Sequence, residues 1–538
     1  MRSVRARTTR SRSGSSWVRD VLGVRAAAPG LVVALSLVVF FLVRWFHPVT
    51  GVGNPDIAGI LYSADVINAG QLPFRDTIDL KPPGAFFVSA AIFRLFGRSI
   101  ETWHRGYEVF VLTGAPAIWV AARALFGAAE RMAAALATAL YIATVGLFDA
   151  NYSSWMVPAY TWSFALLCHG LMTGSRGAHA GAGAMALLAV LFKTQAVVLA
   201  PLFVVCFFWA RYRAGRSPSF LTPLFWIGGA VLAALPIVVP YAVGRALPAL
   251  VRGIFPVAEA AEYAGRMVDE GATWNALYIL GKRQGEAFPL ILPFLVATLL
   301  GLVRDRREGR RAEPLLPLFA FYAVSVWGCG IGGMRFYLHY FPQVLPSLAL
   351  GAAHPAAVRW LGAVITRERS RLERALAGIH VVAIGAVLVW LGVRLPQGKA
   401  AAAEYKSNQR AEQIGKFIAE SSQPTDRVLV WGWEGWPVYF YANRRSPSPI
   451  FKVLGQVTDF NGDTKRQGKI IHFRPGPHAD RLLQDVTSNP PLFIVRCVPF
   501  FPGIQNDPLD EFPALKRFID RRYTLVAEID ALKVYERR

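Results

Sequence analysis

The chain has 538 residues, of which 54% are hydrophobic and only 17% are charged, and its mean hydropathy is +0.35. This composition excludes an ordinary soluble protein of that length, because such a protein needs a more polar surface. The formal net charge of +23 is strongly basic, but the basic residues lie mostly in short loops between apolar stretches, as in Arg304–Arg311. That distribution is typical of membrane topology signals, and it argues against nucleic acid as a partner.

Apolar stretches recur from Leu31 to Leu395, and a membrane span needs roughly 17–25 residues. We therefore predict a mainly α, polytopic helix bundle with about eleven spans. In chain order the predicted spans are Leu31–Phe46, Glu108–Leu125, Met132–Phe148, Val157–Met172, Gly181–Phe192, Ala196–Tyr212, Leu221–Val243, Phe288–Val303, Pro314–Gly328, Tyr337–Ala353 and Ala375–Val393. The predicted domains are a basic cytoplasmic tail (residues 1–28), a membrane domain (29–395) and a soluble domain (396–538).

The Arg-rich loops predict the orientation of the chain. Arg123–Arg131, Arg211–Arg216, Arg304–Arg311 and Arg359–Arg374 fall on one side if the N-terminus is cytoplasmic, which satisfies the positive-inside rule. The N-terminus lacks a convincing cleavage site, so we expect an uncleaved first span. An odd number of spans then places the C-terminal domain outside the cytoplasmic (inner) membrane.

The C-terminal region is predicted to be a small α/β domain. Helical character covers Glu404–Ser421, strand-like runs cover Arg427–Trp431 and Pro491–Val498, and a hairpin is expected at Tyr523–Tyr535. The aromatic run Trp431–Trp436 is open to two interpretations. Its rings are suited to stacking on a sugar, but a domain core that also docks onto the outer membrane surface is favoured, because aromatic rings bury large areas.

One long loop, residues 50–105, follows the first predicted span and lies on the outer side. It carries Asp56, Asp79 and Lys81 and ends in an amphipathic stretch, Pro82–Gly97. Long loops in compact proteins are frequently functional, so we expect this loop to carry the chemistry; the alternative is a solvated connector.

Residues 54–97 read NPDIAGILYSADVINAGQLPFRDTIDLKPPGAFFVSAAIFRLFG, with an acidic residue just after the first span and an acidic-x-Lys-Pro-Pro-Gly turn. This loop resembles the first external loop of the GT-C superfamily of membrane glycosyltransferases. The resemblance is closest to bacterial family 39, which includes protein O-mannosyltransferases and lipid A aminoarabinose transferases. Leu187–Pro201 and Gly332–Leu350 fit the same family in order and spacing. One departure is Ile57, because many relatives carry Glu at that position.

The resemblance implies a GT-C-like fold and an enzyme that moves a hexose or pentose from a polyprenyl-phosphate donor to a glycan, lipid or protein acceptor. A sugar on a phosphate already has a good leaving group, so the reaction needs one base for the acceptor hydroxyl and cations for the phosphate. Direct displacement would invert the anomeric centre. The resemblance makes Asp56 the catalytic base; the alternative is a helix N-cap.

Four basic residues are the candidates for binding the donor phosphate: Lys81, Lys193, Arg335 and His339. A purely structural role is the alternative for these residues. Lys81 could pair with Asp79, Lys193 could reach the interface by snorkelling, and His339 could belong to an aromatic belt. Arg335 and His339 would share a face if Met334–Tyr340 were helical.

Three further residues, Asp79, Asp149 and Asn151, are candidates for contacts with substrate. No cofactor is expected; a divalent cation is compatible with the loop, but no ligand spacing demands one. The alternative function is a transporter or flippase of lipid-linked sugars, which predicts repeated halves and charges along a central pathway; neither is evident. A non-catalytic scaffold would leave the acidic loop unexplained.

Overall fold

The computed structural model describes residues 15–46, 51–53, 55–145, 150–212, 218–255, 272–286, 288–307, 315–331, 336–356, 358, eight positions between 375 and 385, 398–459 and 470–538. The described chain is mostly helical. Its first helices are α1 (Ser15–Phe46), α2 (Pro55–Asn68), α3 (Gly84–Phe96), α4 (Ile100–Leu112), α5 (Gly114–Phe126), α6 (Arg131–Val145), α7 (Tyr152–Thr173), α8 (Arg176–Phe192), α9 (Leu199–Tyr212), α10 (Thr222–Val243) and α11 (Leu247–Ile254).

The later helices are α12 (Ala272–Glu286), α13 (Phe288–Arg307), α14 (Leu315–Gly330), α15 (Leu345–Ala352), α16 (Gly398–Glu420), α17 (Pro437–Ala442), α18 (Pro477–Ser488) and α19 (Pro513–Arg522). Short 3-10 turns cover Thr194–Val198, Leu338–Val344 and Pro508–Glu511. The predicted span Tyr337–Ala353 is thus a 3-10 turn followed by the short helix α15. The loop predicted at residues 50–105 contains α2 and α3, and α3 matches the expected amphipathic stretch.

Among the described residues, three segments are long and apolar enough to cross a membrane: Ile100–Phe126, Thr194–Tyr212 and Thr222–Val243. Several shorter apolar helices accompany them, among them Arg131–Val145 and Arg176–Phe192. Helix α10 exposes large apolar side chains over much of its length, which is the surface that lipid tails favour. The helical membrane domain is therefore confirmed, while the number of spans stays a prediction.

Helix α7 is the centre of the bundle, and almost every one of its residues is buried. Helix α8 packs between α7 and α10. Glycines allow the close approach of α8 and α10, because a Cβ built on Gly183 would overlap the carbonyl of Trp226 and one built on Gly229 would overlap that of Ala180. This packing fixes the ends of α7 and α8, where the candidate site lies.

The C-terminal region contains a four-stranded sheet, as the predicted α/β character requires. Its strands are β1 (Val428–Trp431), β2 (Phe493–Cys497), β3 (Tyr523–Ile529) and β4 (Leu532–Arg537), in the order β1-β2-β4-β3. Strands β1 and β2 pair in parallel, with Val428 opposite Phe493, while the other pairs are antiparallel. The expected hairpin is formed by β3 and β4. The aromatic run belongs to the core, since Trp431 and Trp436 are both buried.

The sheet domain packs against the loop predicted at residues 50–105. Tyr62 of α2 stacks on Phe451 with ring centroids 4.1 Å apart, and its hydroxyl accepts a hydrogen bond from the backbone of Ser446 at 3.0 Å. The same hydrophobic core runs from α2 into the sheet domain. The loop is thus sandwiched between the bundle and the C-terminal domain.

Neighbouring glycines of α10 test the packing of α8 against α10. Gly229→Ala should lower the free energy of unfolding by about 1–3 kcal/mol, because overpacking forces the two backbones apart. Gly228→Ala is the matched control, since nothing lies within 4 Å of a Cβ at that position. Thermal unfolding in detergent measures both variants, and equal midpoints would contradict the close contact.

Candidate active site

Asp56 lies near the N-terminus of α2. The helix begins at Pro55, so Asp56 falls in the first turn and is not the N-cap. It is partly exposed, and its charge acts on both Tyr152 and His339. An acidic side chain is favoured in a first helical turn by the helix dipole. The carboxylate therefore borders the site while keeping access to solvent.

Lys81 and Asp79 lie on the segment between α2 and α3, but they do not pair with each other. The Lys81 ammonium lies 5.9 Å from the centroid of the Tyr152 ring. Asp79 instead accepts a hydrogen bond from the ammonium of Lys452 at 2.6 Å, and only 9% of the lysine side chain and 4% of the aspartate side chain are exposed. Lys81 therefore faces the start of α7, residues 151–154, which we call the head of α7. A ligand of a phosphate bound there would face it in the same way.

Lys193 ends α8, immediately before the 3-10 turn Thr194–Val198. Its ammonium donates a hydrogen bond to Ser153 Oγ at 2.5 Å and lies 3.7 Å from the centroid of the Tyr340 ring. The residue is only 7% exposed. The ammonium is thus held inside the protein at the head of α7, and it does not snorkel to the interface.

His339 lies in the 3-10 turn Leu338–Val344, outside the apolar helices described above. Phe336 has a positive φ of 44° and Tyr337 is extended, so no regular helix runs through these two positions into the turn that carries His339. Arg335 itself, like Asp149, lies outside the described residues. The His339 ring contacts Tyr337 and Tyr340, as the aromatic alternative expects.

The electrostatic surroundings of His339 show which groups are gathered here. Burial lowers the pKa of His339, the Lys193 ammonium lowers it further, and the Asp56 carboxylate opposes both. Lys81 and Arg283 also lower the pKa. His339 is consequently a neutral hydrogen-bonding group near pH 7 in the free protein.

Arg283 of α12 was missed by the sequence reasoning. Its Nε donates to the carbonyl of Phe336 at 3.4 Å, and its charge acts on His339. It lies in the polar connection between the predicted spans Leu221–Val243 and Phe288–Val303, which was the available signal. A lone arginine in a polar loop is ordinary, however, and only the tertiary structure brings it to the site.

Unsatisfied polar groups cluster at the head of α7. Within the described part of the chain, Asn151 Nδ2, the Tyr152 hydroxyl and Ser154 Oγ are buried without a hydrogen-bond partner. Buried polar groups in native proteins are nearly always satisfied, so the cluster indicates a place for a polar ligand. Asn151, predicted to contact substrate, directly precedes Tyr152, on which the Asp56 charge acts, and Ser153, which Lys193 contacts, follows next in the chain.

Together these residues form one cluster: a carboxylate, several cations and a set of free hydroxyl and amide groups around the head of α7. Four separate segments supply its charged members among the described residues. Asp56 comes from α2, Lys81 from the segment before α3, Lys193 from the end of α8 and Arg283 from α12. Such a cluster can hold a phosphate, place a polyhydroxyl group beside it and accept a proton.

Known proteins share this architecture. The sequence profile of the family described as dolichyl-phosphate-mannose-protein mannosyltransferase matches residues 80–243. The crystal structure of ArnT from Cupriavidus metallidurans in the apo state has a TM-score of 0.58 at 16% identity, covering 95% of this chain and 98% of that chain. The apo oligosaccharyltransferase of Archaeoglobus fulgidus has a TM-score of 0.51 at 12% identity, covering 88% and 70%. The chain has the GT-C fold.

The predicted resemblance of the chain to GT-C membrane glycosyltransferases is thereby confirmed. The profile match includes Lys81, Asn151 and Lys193 and begins after Asp56. In a comparison of sequences, no curated protein matches the chain.

The pKa of His339 gives a prediction for stability. Because this pKa is lower in the folded protein than its unfolded value of about 6.5, the folded state loses stability as the pH falls below that value. His339→Gln should remove this loss, which is about 1.4 kcal/mol for each pH unit. Unfolding midpoints of wild type and variant at pH 7 and pH 5 measure the difference.

The exposed His169 provides the control, as His169→Gln. If His339→Gln and His169→Gln respond identically to acid, His339 does not carry the buried, cation-facing environment described here.

Proposed function

We propose that the protein is an inverting glycosyltransferase that moves a sugar from a polyprenyl-phosphate donor to a cell-envelope acceptor. The observation that carries this proposal is the cluster at the head of α7, in which one carboxylate faces several cations across buried, unsatisfied polar groups. That arrangement suits an anionic leaving group and a neutral, hydroxyl-rich sugar. A second carboxylate whose charge acts on Tyr152, that of Asp79, is buried in an ion pair with Lys452. It is therefore not available as the second free carboxylate on which most glycoside hydrolases rely.

In the proposed reaction Asp56 accepts the proton of the acceptor hydroxyl. The acceptor oxygen attacks the anomeric carbon from the face opposite the phosphate, and the bond between that carbon and the phosphate oxygen breaks. The departing phosphate monoester keeps the electron pair, and Lys81 and Lys193 stabilise its charge. The configuration at the anomeric carbon is inverted.

The remaining predicted residues take supporting roles in this scheme. Arg283 and Arg335 add positive charge, and neutral His339 donates a hydrogen bond to the phosphate. Asn151, together with Asp149, contacts sugar hydroxyls. No cofactor is required, because these cations neutralise the phosphate; transfer that persists in excess EDTA would agree with this part of the scheme.

Two structures of similar proteins, each in complex with a polyprenyl phosphate, support a lipid-phosphate donor. One Cupriavidus metallidurans ArnT structure, with a TM-score of 0.53, is described as bound to undecaprenyl phosphate. An Archaeoglobus fulgidus oligosaccharyltransferase structure, with a TM-score of 0.50, is described as a complex with an inhibitory peptide and a dolichol-phosphate. We propose a related donor here, with a glycan, lipid or protein as the acceptor.

The proposed topology follows the distribution of arginine. We propose about eleven spans in residues 29–395, a cytoplasmic tail over residues 1–28 and an extracytoplasmic domain over residues 396–538, in the cytoplasmic membrane. This orientation gathers the cluster at the outer face, where a lipid phosphate exposes its sugar to an acceptor.

Asp56→Asn should lower kcat by about 100- to 10,000-fold while leaving donor binding largely intact, because it removes the base and keeps the shape of the side chain. The assay measures transfer from a panel of synthetic polyprenyl-phosphate sugars by purified protein. Asp510→Asn is the control, since Asp510 is exposed in the C-terminal domain. Equal transfer by wild type and Asp56→Asn would refute the base; movement of the lipids across liposomes without transfer would favour a transporter.

Two matched cysteine variants test the orientation. The four native cysteines are all buried, whereas Ala69 and Ala128 are exposed. In intact cells, Ala69→Cys should react with a membrane-impermeant maleimide, and Ala128→Cys only after permeabilisation. The reverse result would place Asp56 in the cytoplasm and overturn the proposed topology.

A further inference from the structure

The side chain of Lys452 extends from the C-terminal domain to the segment that carries Lys81. Residues 445–452, the docking segment, lie across α2 and the segment that follows it. Lys452 ends the docking segment, and its ammonium meets Asp79 at 2.6 Å in a contact shielded from water. The two residues are 373 positions apart in the sequence.

The lysine passes between α2 and the strap, which we define as residues 76–83. Gly59, one helical turn after Asp56, makes room for it, because a Cβ built on Gly59 would overlap the Lys452 ammonium and lie 3.5 Å from Asp79 Oδ2. Lys452 is therefore packed between the helix that carries the proposed base and the strap that carries Lys81.

Further contacts hold the strap and α2 to the docking segment. The backbone N–H of Ile78 donates to the carbonyl of Pro449 at 2.9 Å. Arg445 donates a hydrogen bond to Gln71, just before the strap. The first of these contacts joins two backbones, and the second lies before the strap begins. The Lys452–Asp79 pair differs from both, because it holds a side chain of the strap two residues before Lys81.

A buried ion pair is sensitive to the loss of either member, because the remaining charge is left without compensation. Asp79 is stable in its buried position only while Lys452 is delivered to it by the docked C-terminal domain. If Lys452 is removed, the unpaired Asp79 carboxylate lowers its free energy by moving into water, where it is hydrated. The strap that carries Lys81 then moves with it.

We propose that Lys452 is a positioning residue of the active site: it fixes Asp79 against α2 and thereby holds Lys81 towards the head of α7. The C-terminal domain would then be a working part of the site as well as a cover for the outer loop. The kinetic part of this inference rests on the proposed transferase function, while the structural part can be measured without any transfer.

The test compares Lys452→Met with Lys452→Arg and with Lys516→Met in the full-length protein. Lys516 makes a 2.5 Å contact with Asp510, but on the exposed surface of the same domain, so it is a matched lysine–aspartate control. Hydrogen exchange of the strap amides is measured in the unliganded protein in detergent, and kcat and donor KM are measured with a synthetic polyprenyl-phosphate sugar.

Lys452→Met should speed exchange in the strap, raise the donor KM and lower kcat, by up to about 100-fold for a displacement near 1 Å. Lys452→Arg should restore much of the loss, because it keeps a cation opposite Asp79. Lys516→Met should match wild type in both measurements.

A second variant, Gly59→Ala, displaces the ammonium without removing it from the protein, so it serves if Lys452→Met does not fold. It should reproduce faster strap exchange and a higher donor KM, and Gly228→Ala is its control.

Unchanged strap exchange in both Lys452→Met and Gly59→Ala would overturn the inference, as would a lower unfolding midpoint with wild-type strap exchange and kinetics. If the wild type transfers no sugar while the strap exchange responds as expected, the proposed function fails and the positioning role stands.

Discussion

Removing an ammonium from water is costly, and the site is organised around one that the fold has removed: Lys193. Its side chain is covered at the end of α8 and is held by the hydroxyl of Ser153 and the face of the Tyr340 ring. A buried charge of this kind retains a strong field, because little solvent screens it. The fold accepts this cost at the position where we propose that the donor phosphate binds.

Rigid packing behind the site keeps this charge in place. Helix α7 presents Ser153 from a buried first turn, and α8 ends at Lys193 because residues beyond it form a tighter 3-10 turn. The close approach of α8 to α10 holds the far side of α8. A cation fixed in this way needs little rearrangement when a phosphate binds, which is the property expected of a pre-organised anion site.

The sequence predicted the parts of the site that depend on local pattern. Asp56 follows an apolar span, Lys81 lies in a distinctive Pro-Pro-Gly turn, and Lys193 interrupts an apolar run, so each was visible as an exception to its surroundings. The apolar periodicity predicted the helical bundle, and alternating strand-like runs predicted the C-terminal sheet. These signals can be read from the sequence because hydrophobic burial and backbone geometry impose patterns within a few residues.

Other parts could not be predicted, because they depend on contacts between distant segments. Arg283 and Lys452 look like ordinary charges of polar regions. Only folding brings Arg283 beside Phe336 and His339, and Lys452 to Asp79. The proposed helix through Arg335 and His339 failed at Phe336, whose positive φ is a backbone feature that its residue type does not signal. The parallel pairing of β1 with β2 likewise depends on the path of the intervening chain.

The separation of Asp79 and Lys452 in the sequence has a consequence for biosynthesis. The ribosome produces the strap long before its partner, with 373 positions between the two charges. Until the docking segment emerges and folds against the strap, the nascent bundle holds an aspartate whose counter-ion has not yet been made. A chain interrupted before that point would insert its helices yet leave Asp79 without the lysine that it contacts in the complete fold.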